Sequence, residues 1–342
     1  MINTFKAAVM FEQNAPLQIL DLPHCAAEFG QVKVKMIRSG ICGAQRNEML
    51  GVKGVDKFLP HLMGHEGFGQ VVSIGDGVQK CTVGDYVVLH WKKGSGCDCF
   101  GGKYKWKNYI CGSGPVTTFS EYTIVSENRL TAVNFEKDLI DIYPLLGCAL
   151  STTYGIVKNE IRFNNKDKNI LITGAGGIGL GLAFWLKILG FTNVTLYDKS
   201  LSKRNKVLAL NYKYFSDNDK IELFDGIPRY DFCIDTTGNN DLISKSFDLL
   251  NKMSSLILLG QTKKGSDLIL HDSLRIFDGI KIWASDGGGF DPDTDIEEMI
   301  DILKIHVAEA SKLITDKLPL TEINFAFEKL EIGDEGRILI SF

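Results

Sequence analysis

The chain has 342 residues, of which 44% are hydrophobic and 23% charged, enough for two domains of roughly 150 residues, each with a sizeable core. Its 38 basic and 42 acidic side chains nearly cancel, to a formal charge of −4. With no long block of one sign they leave no footprint for nucleic acid or a membrane surface, so small molecules or a second copy of the chain are the expected partners.

Eight cysteines at irregular spacing argue for reduced thiols or metal ligands rather than a disulfide framework. The opening MINTFKAAVMFEQ does not read as a basic, apolar and small-residue leader, so a cytoplasmic protein is expected. Residues 1 to about 130 read as short strands between glycine-rich turns, for instance Gln31 to Met36, Phe68 to Ile74 and Tyr86 to Leu89. From residue 169 short buried strands alternate with helices: NILIT, a helix over Ile178 to Leu189, VTLY, FCID and SLILLG. That alternation predicts a parallel sheet with crossover helices.

After GGGFDPDTD a helix should carry Ile296, Met299, Ile300, Leu303 and Val307 on one face, capped by the acidic run before it. The closing ILISF should return as a strand to the first domain. The boundaries expected are therefore a β-rich domain over 1–150, completed by 291–342, and an α/β domain over 151–290.

NILIT is followed directly by GAGGIG, which sets Gly174, Gly176 and Gly179 in G-x-G-x-x-G spacing, with Gly177 and Ile178 opening the helix. Strand, glycines and helix together make a tight turn, leave room for a pyrophosphate and aim the helix N-terminus at it. Asp198, at the end of the next strand, is placed to accept both adenosine ribose hydroxyls and to repel a 2′-phosphate, which favours NAD over NADP. Lys199, Lys203 and Arg204 follow closely and soften that preference.

Cys42 sits in SGICGAQRNE, His65 and Glu66 in GHEGFG, and Cys148 in LLGCALSTTYG. Two thiolates and an imidazole suit zinc, with Glu66, water or substrate in a fourth position. The spacing alone leaves open whether these residues bind zinc or pack as a buried histidine and two thiols.

The ordered set GIC, GHEGFG, GD at 84 and 85, FSEY, GCALSTTYG, GAGGIG and GRILISF resembles the zinc-dependent alcohol dehydrogenases of the medium-chain dehydrogenase/reductase superfamily, over nearly the whole chain. The resemblance implies an α/β protein, a GroES-like β-rich catalytic domain plus a Rossmann domain with a doubly wound parallel sheet. It implies a catalytic zinc on Cys42, His65 and Cys148, with Glu66 behind it as an alternate ligand. It also implies Arg337 on the pyrophosphate, Lys203 near the adenosine ribose, and a homodimer or homotetramer formed near IKIWAS and DPDTDIEE.

Two departures stand out. Relatives carry a second, structural zinc on four close cysteines, whereas this lobe has only Cys97, Cys99 and Cys111, so three free thiols in a remodelled loop are favoured over a structural zinc. Relatives also pass the alcohol proton out through a Ser or Thr two residues after the zinc cysteine and a His five after it. Here those positions hold Ala44 and Asn47, and neither titrates. His61 and His90 are candidates to fill the gap, although a structural histidine is the simpler reading of each.

The expected reaction is hydride transfer between NAD(H) and an alcohol or carbonyl. The substrate pocket is expected near Trp91, Ala44, Asn47 and His61, and polar Gln45, Arg46, Asn47 and Glu48 point to a polyol, sugar or sugar derivative. The competing readings are a zinc-free quinone or alkene reductase of the same superfamily, and a non-redox enzyme or binding protein with bound NAD.

Overall fold

The computed structural model describes residues 4–219, 223–224, 229–333 and 336–342. The chain forms two compact units, Met1–Ser151 with Asp291–Phe342, and Thr152–Phe290.

The first unit is built on two sheets. One runs in the order Gln18–Pro23, Thr4–Met10, His61–Leu62, Tyr109–Gly112 and Lys103–Trp106. The other runs Leu130–Val133, Tyr86–Leu89, Gly67–Ile74, Gln31–Gly40, Arg337–Ser341 and Ile314–Pro319, with Tyr122–Ser126 also pairing to Gln31–Gly40. Alternation along these strands buries Val32, Val34 and Met36 against Val71, Val87, Leu89 and Val125, as expected of a pleated surface with one side in a core.

ILISF does return to this unit: Leu339 pairs with Gly40 and Ile340 with Ser39, antiparallel. The helix after the acidic run spans Pro292–Leu303, with Asp291 at its N-cap accepting from the Asp293 N–H and Pro292 at N1. Ile296, Met299, Ile300 and Leu303 are buried on it. Val307 is not part of that face. The backbone leaves the helix before His306 (φ −118°, ψ 28°), and Val307 opens a separate short helix, Val307–Ser311.

The second unit holds a six-stranded sheet in the order Lys213–Phe215, Val194–Tyr197, Ile170–Thr173, Tyr230–Asp235, Leu250–Leu258 and Lys281–Ala284, with every pairing parallel. Order reverses around Ile170–Thr173, the doubly wound pattern whose switch point lies at the C-terminal ends of central strands. ILIT and VTLY are buried at every residue, because a parallel sheet is covered on both faces. The helix Gly177–Ile188 buries Leu180, Leu182, Phe184, Trp185 and Leu186. No helix among the described residues is long and apolar enough to cross a membrane.

Candidate functional site

Cys42 follows the strand Gln31–Gly40 and occupies the N-cap of the short helix Gly43–Met49. Its backbone N–H donates to Gln45 Oε1 at 2.9 Å, so Gln45, buried, holds the turn rather than facing a substrate. His65 stands just before the strand Gly67–Ile74, and Cys148 between the 3-10 turn Tyr143–Gly147 and the helix Ala149–Gly155. One ligand atom from each of Cys42, His65 and Cys148 lies within 4.8 Å of the other two. All three belong to the first unit, so its fold alone assembles the trio.

The electrostatics of the trio are those of groups that share a proton. The Cys42 sulfur is held well below the ordinary thiol range, chiefly by the Cys148 thiol donating to it, while Cys148 is pushed up in turn. Burial lowers the His65 imidazole, but the adjacent Cys42 sulfur and the carboxylates of Glu66 and Glu48 outweigh it and leave it raised. His65 Nε2 is buried with no hydrogen-bond partner. A histidine with an orphaned ring nitrogen, converging with two sulfurs, fits zinc, whose charge would replace the proton the thiols share.

Glu66 is fully buried behind this trio. Its Oε2 accepts from the Ala149 N–H at 3.1 Å and its Oε1 lies 3.6 Å from Arg337 Nη1. Burial pushes its carboxyl up to about 7, with the Arg337 guanidinium opposing. Two glycines make room for it. A Cβ on Gly40 would stand 2.6 Å from Glu66 Oε1, and one on Gly147 would stand 2.1 Å from Leu89 O and 2.8 Å from Glu66 Cα. The glycine of GIC is thus a packing requirement of the carboxylate, and that of LLGC a requirement of the Leu89 carbonyl and the Glu66 backbone. Arg337 lies in the first unit, buried beside Glu66.

In the second unit, Gly174 turns with φ +93°, and a Cβ there would meet Thr236 Oγ1 at 2.3 Å. A Cβ on Gly179 would strike Gly174 O at 1.9 Å, whereas one on Gly176 would meet nothing within 4 Å. Two glycines therefore serve close packing, and the third leaves open space at the N-terminus of the helix Gly177–Ile188, where Gly177 and Ile178 are partly exposed. Beside it lies a cavity of about 500 Å³ lined by Gly174, Asp198, Lys199, Thr237 and Asn239, among others. Asp198 is anchored by the amides of Ala175 (2.7 Å) and Ser200 (3.0 Å). Lys203 is fully buried and does not border this cavity; Lys199 does.

Thr237 and Asn239 were not expected from sequence, although they follow the strand Tyr230–Asp235, whose C-terminal end is where ligands bind in such sheets. Buried Asp235 ties that end down, accepting from Thr173 Oγ1 at 2.9 Å and the Gly238 N–H at 2.8 Å.

Residues 28–135 match the alcohol dehydrogenase GroES-like domain. The whole chain is similar to alcohol dehydrogenase class-3 of Drosophila melanogaster, 26% identical with 99% of this chain and 98% of that protein covered. It is also similar to S-(hydroxymethyl)glutathione dehydrogenase of Candida maltosa, 27% identical over 98% and 97%. Its fold superposes on an alcohol dehydrogenase zinc-binding domain protein from Burkholderia ambifaria with a TM-score of 0.87, at 21% identity and 99% coverage of each chain. The GroES-like match lies within the unit that holds Cys42, His65 and Cys148, and both whole-chain similarities are to dehydrogenases.

In the first unit a second cavity, of about 480 Å³, opens beside His65. Its lining mixes apolar Phe58, Leu62, Met63 and Phe100 with Glu48, Asp56, His61 and Lys103. Of the four expected pocket residues His61 borders it; Trp91, Ala44 and Asn47 do not. Arg46 points away, into an ion pair with Glu331 at 2.6 Å.

His90 is a structural histidine. Burial pushes its pKa down to about 4, and its ring nitrogens lie 2.6 Å from Lys92 O and 3.1 Å from Thr131 Oγ1. In the cysteine lobe, Cys111 packs into a core with Phe5, Leu22 and Tyr104, while Cys97 and Cys99 donate to Gly77 O and Gly30 O. These three thiols are not among the convergent ligand groups of the described residues. Tyr104 is buried in that core, and Trp106 and Tyr109 pack edge-on against Phe11.

Proposed function

We propose that the protein transfers a hydride between NAD(H) and an alcohol or carbonyl substrate at a zinc ion held by Cys42, His65 and Cys148, and that the substrate is a polyol, sugar or sugar derivative. The convergence of those three ligand atoms within 4.8 Å carries the reading. Bound there, zinc supplies Lewis acidity to a substrate oxygen, and NAD supplies or takes the hydride. Two thiolates and a neutral imidazole balance the ion's charge, which keeps that acidity mild enough to hold alcohol and carbonyl alike.

Glu66 and Arg337 hold the back of the site as an ion pair, with the Ala149 amide fixing the carboxylate. At the other end of the reaction Asp198 accepts the ribose hydroxyls, and open space at Gly176 receives the pyrophosphate. The carboxylates of Glu48 and Asp56 and the hydroxyls of Ser113 and Thr117, all bordering the cavity beside His65, support a hydroxyl-rich substrate. Free thiols at all eight cysteines support a reducing, cytoplasmic setting. The edge strand Lys281–Ala284, with Leu274 and Phe277 exposed nearby, supports a homo-oligomer.

Protein purified without added zinc should carry the metal and form NADH from polyols. A metal-free protein that keeps reductase activity removes the zinc reading. In a thermal-shift screen with NADH, polyols and sugars should raise the melting temperature where simple aliphatic alcohols do not. The reverse order discards the substrate class.

A further inference from the structure

Oxidising an alcohol by hydride transfer breaks two bonds to hydrogen. The C–H pair leaves as hydride to the nicotinamide, the O–H electrons form the carbonyl, and one proton is left for a base. Neither Ala44 nor Asn47 can take it. We propose that His61, oriented by Asp56, is the group that exchanges this proton between the cavity and solvent, a role that rests on the dehydrogenase reading above.

The first support is position. His61 and the proposed metal ligand His65 border the same cavity of about 480 Å³, so water in it can link substrate and imidazole.

The second is wiring. His61 Nδ1 lies 2.7 Å from Leu62 O; a carbonyl only accepts, so Nδ1 carries the hydrogen and donates. That leaves Nε2 as the atom that gains and loses a proton. It faces Asp56 Oδ2 at 2.9 Å and Glu48 Oε1 at 3.9 Å, both of them acceptors. Asp56 cannot turn away, because its Oδ1 accepts the Phe58 N–H at 2.8 Å. Burial raises the Asp56 carboxyl, but the Phe58 amide and the His61 ring outweigh it and leave it lowered, so the carboxylate stays ionised to orient the ring.

The third is an outlet. The side chain of Asp56 is 9% exposed and that of His61 12%, against 44% for Glu48, which gives the proton a step toward solvent. Lys103 is the cationic residue bordering the cavity; with Glu48, Asp56 and His65 it completes the charged and titratable lining around His61.

In the oxidation direction the hydroxyl proton passes through water to the Asp56 carboxylate, which exchanges it with the Nε2 facing its Oδ2, and leaves to solvent past Glu48. In reduction the same nitrogen returns it to the oxygen as hydride arrives at carbon. Atoms and charge balance with NAD as the only oxidant.

The test uses zinc-loaded enzyme with benzyl alcohol and NAD, and benzaldehyde and NADH, as probes. His61→Gln should lower kcat by about 10²-fold or more, in the range of a lost general acid–base group. It should also flatten one limb of the pH–rate profile, with zinc content and the KM for NADH unchanged. His61→Ala should regain part of its rate from added imidazole. Asp56→Asn should lower kcat less and displace that limb, and Asp56→Glu should restore it.

Histidine 15N spectra give a readout that needs no turnover: at alkaline pH the His61 signal should show the Nδ1–H tautomer. Wild-type kcat and pH profile in His61→Gln, an Nε2–H tautomer, or a second metal equivalent lost in His61→Gln would each overturn the proposal. A wild type that takes up no zinc when it is supplied and turns over neither probe fails the dehydrogenase reading instead, and the role of His61 falls with it.

Discussion

Cys148→Ser keeps the side chain's size but exchanges a soft thiolate for a hydroxyl that zinc does not deprotonate as readily. The expected outcome is less zinc retained through dialysis, measured by metal analysis. Turnover should fall by more than the about 10–100-fold that loss of an outer-shell partner costs. Asp198 is prepared differently, since the Ala175 and Ser200 amides hold it in place beside the glycine turn. Asp198→Ala should lose about 1.5–3 kcal/mol of charged hydrogen bonding, a tenfold or greater rise in KM for NAD, while KM for NADP rises less or falls. Unchanged constants for both cofactors would remove the ribose assignment.

The glycine turn and the helix Gly177–Ile188 separate binding from folding. A side chain at Gly176 would point into space empty of protein atoms within 4 Å, and its φ of −75° is open to any residue. Gly176→Val should therefore melt within a few degrees of wild type yet fail to bind NADH in a fluorescence titration. Trp185, on the same helix, has the opposite profile. It is fully buried, with ring centroids 4.8 Å from Tyr154 and 5.3 Å from Phe184. Trp185→Ala should cost about 3–5 kcal/mol, visible as a lowered midpoint in urea. Both residues were legible in the sequence, because a G-x-G-x-x-G turn and an apolar helix behind a buried strand are local patterns. The break that puts Val307 in a separate helix was not, since the apolar spacing runs through it unchanged.

Stability of the whole molecule should depend on pH through His90. Its folded pKa of about 4 lies below its ordinary value of 6.5, so the unfolded chain binds the proton more readily. The contribution is fully present above pH 6.5 and is lost as pH falls toward 4. The shift is worth about 3 kcal/mol at most. A Tm profile over pH 4 to 7 should slope less in His90→Asn than in wild type, and parallel profiles would mean that His90 is not the buried neutral group described.

Fold class, the glycine turn and the resemblance to alcohol dehydrogenases were carried by the sequence itself, because each rests on contiguous residues: period-two strands, a strand running into glycines and a helix, motifs in order. What only the tertiary structure decided is which distant side chains meet. Cys42, His65 and Cys148 come together because the first unit's strands and turns bring their loops to one place; spacing along the chain holds no distance. Gln45 and Arg46, polar and near Cys42, read like a substrate wall, yet one caps the helix and the other pairs with Glu331. Asp56 and Glu48 meet at His61 although the intervening chain carries no motif. Side-chain direction in a turn is set by packing against residues far away in sequence, and that packing exists only once the chain is folded.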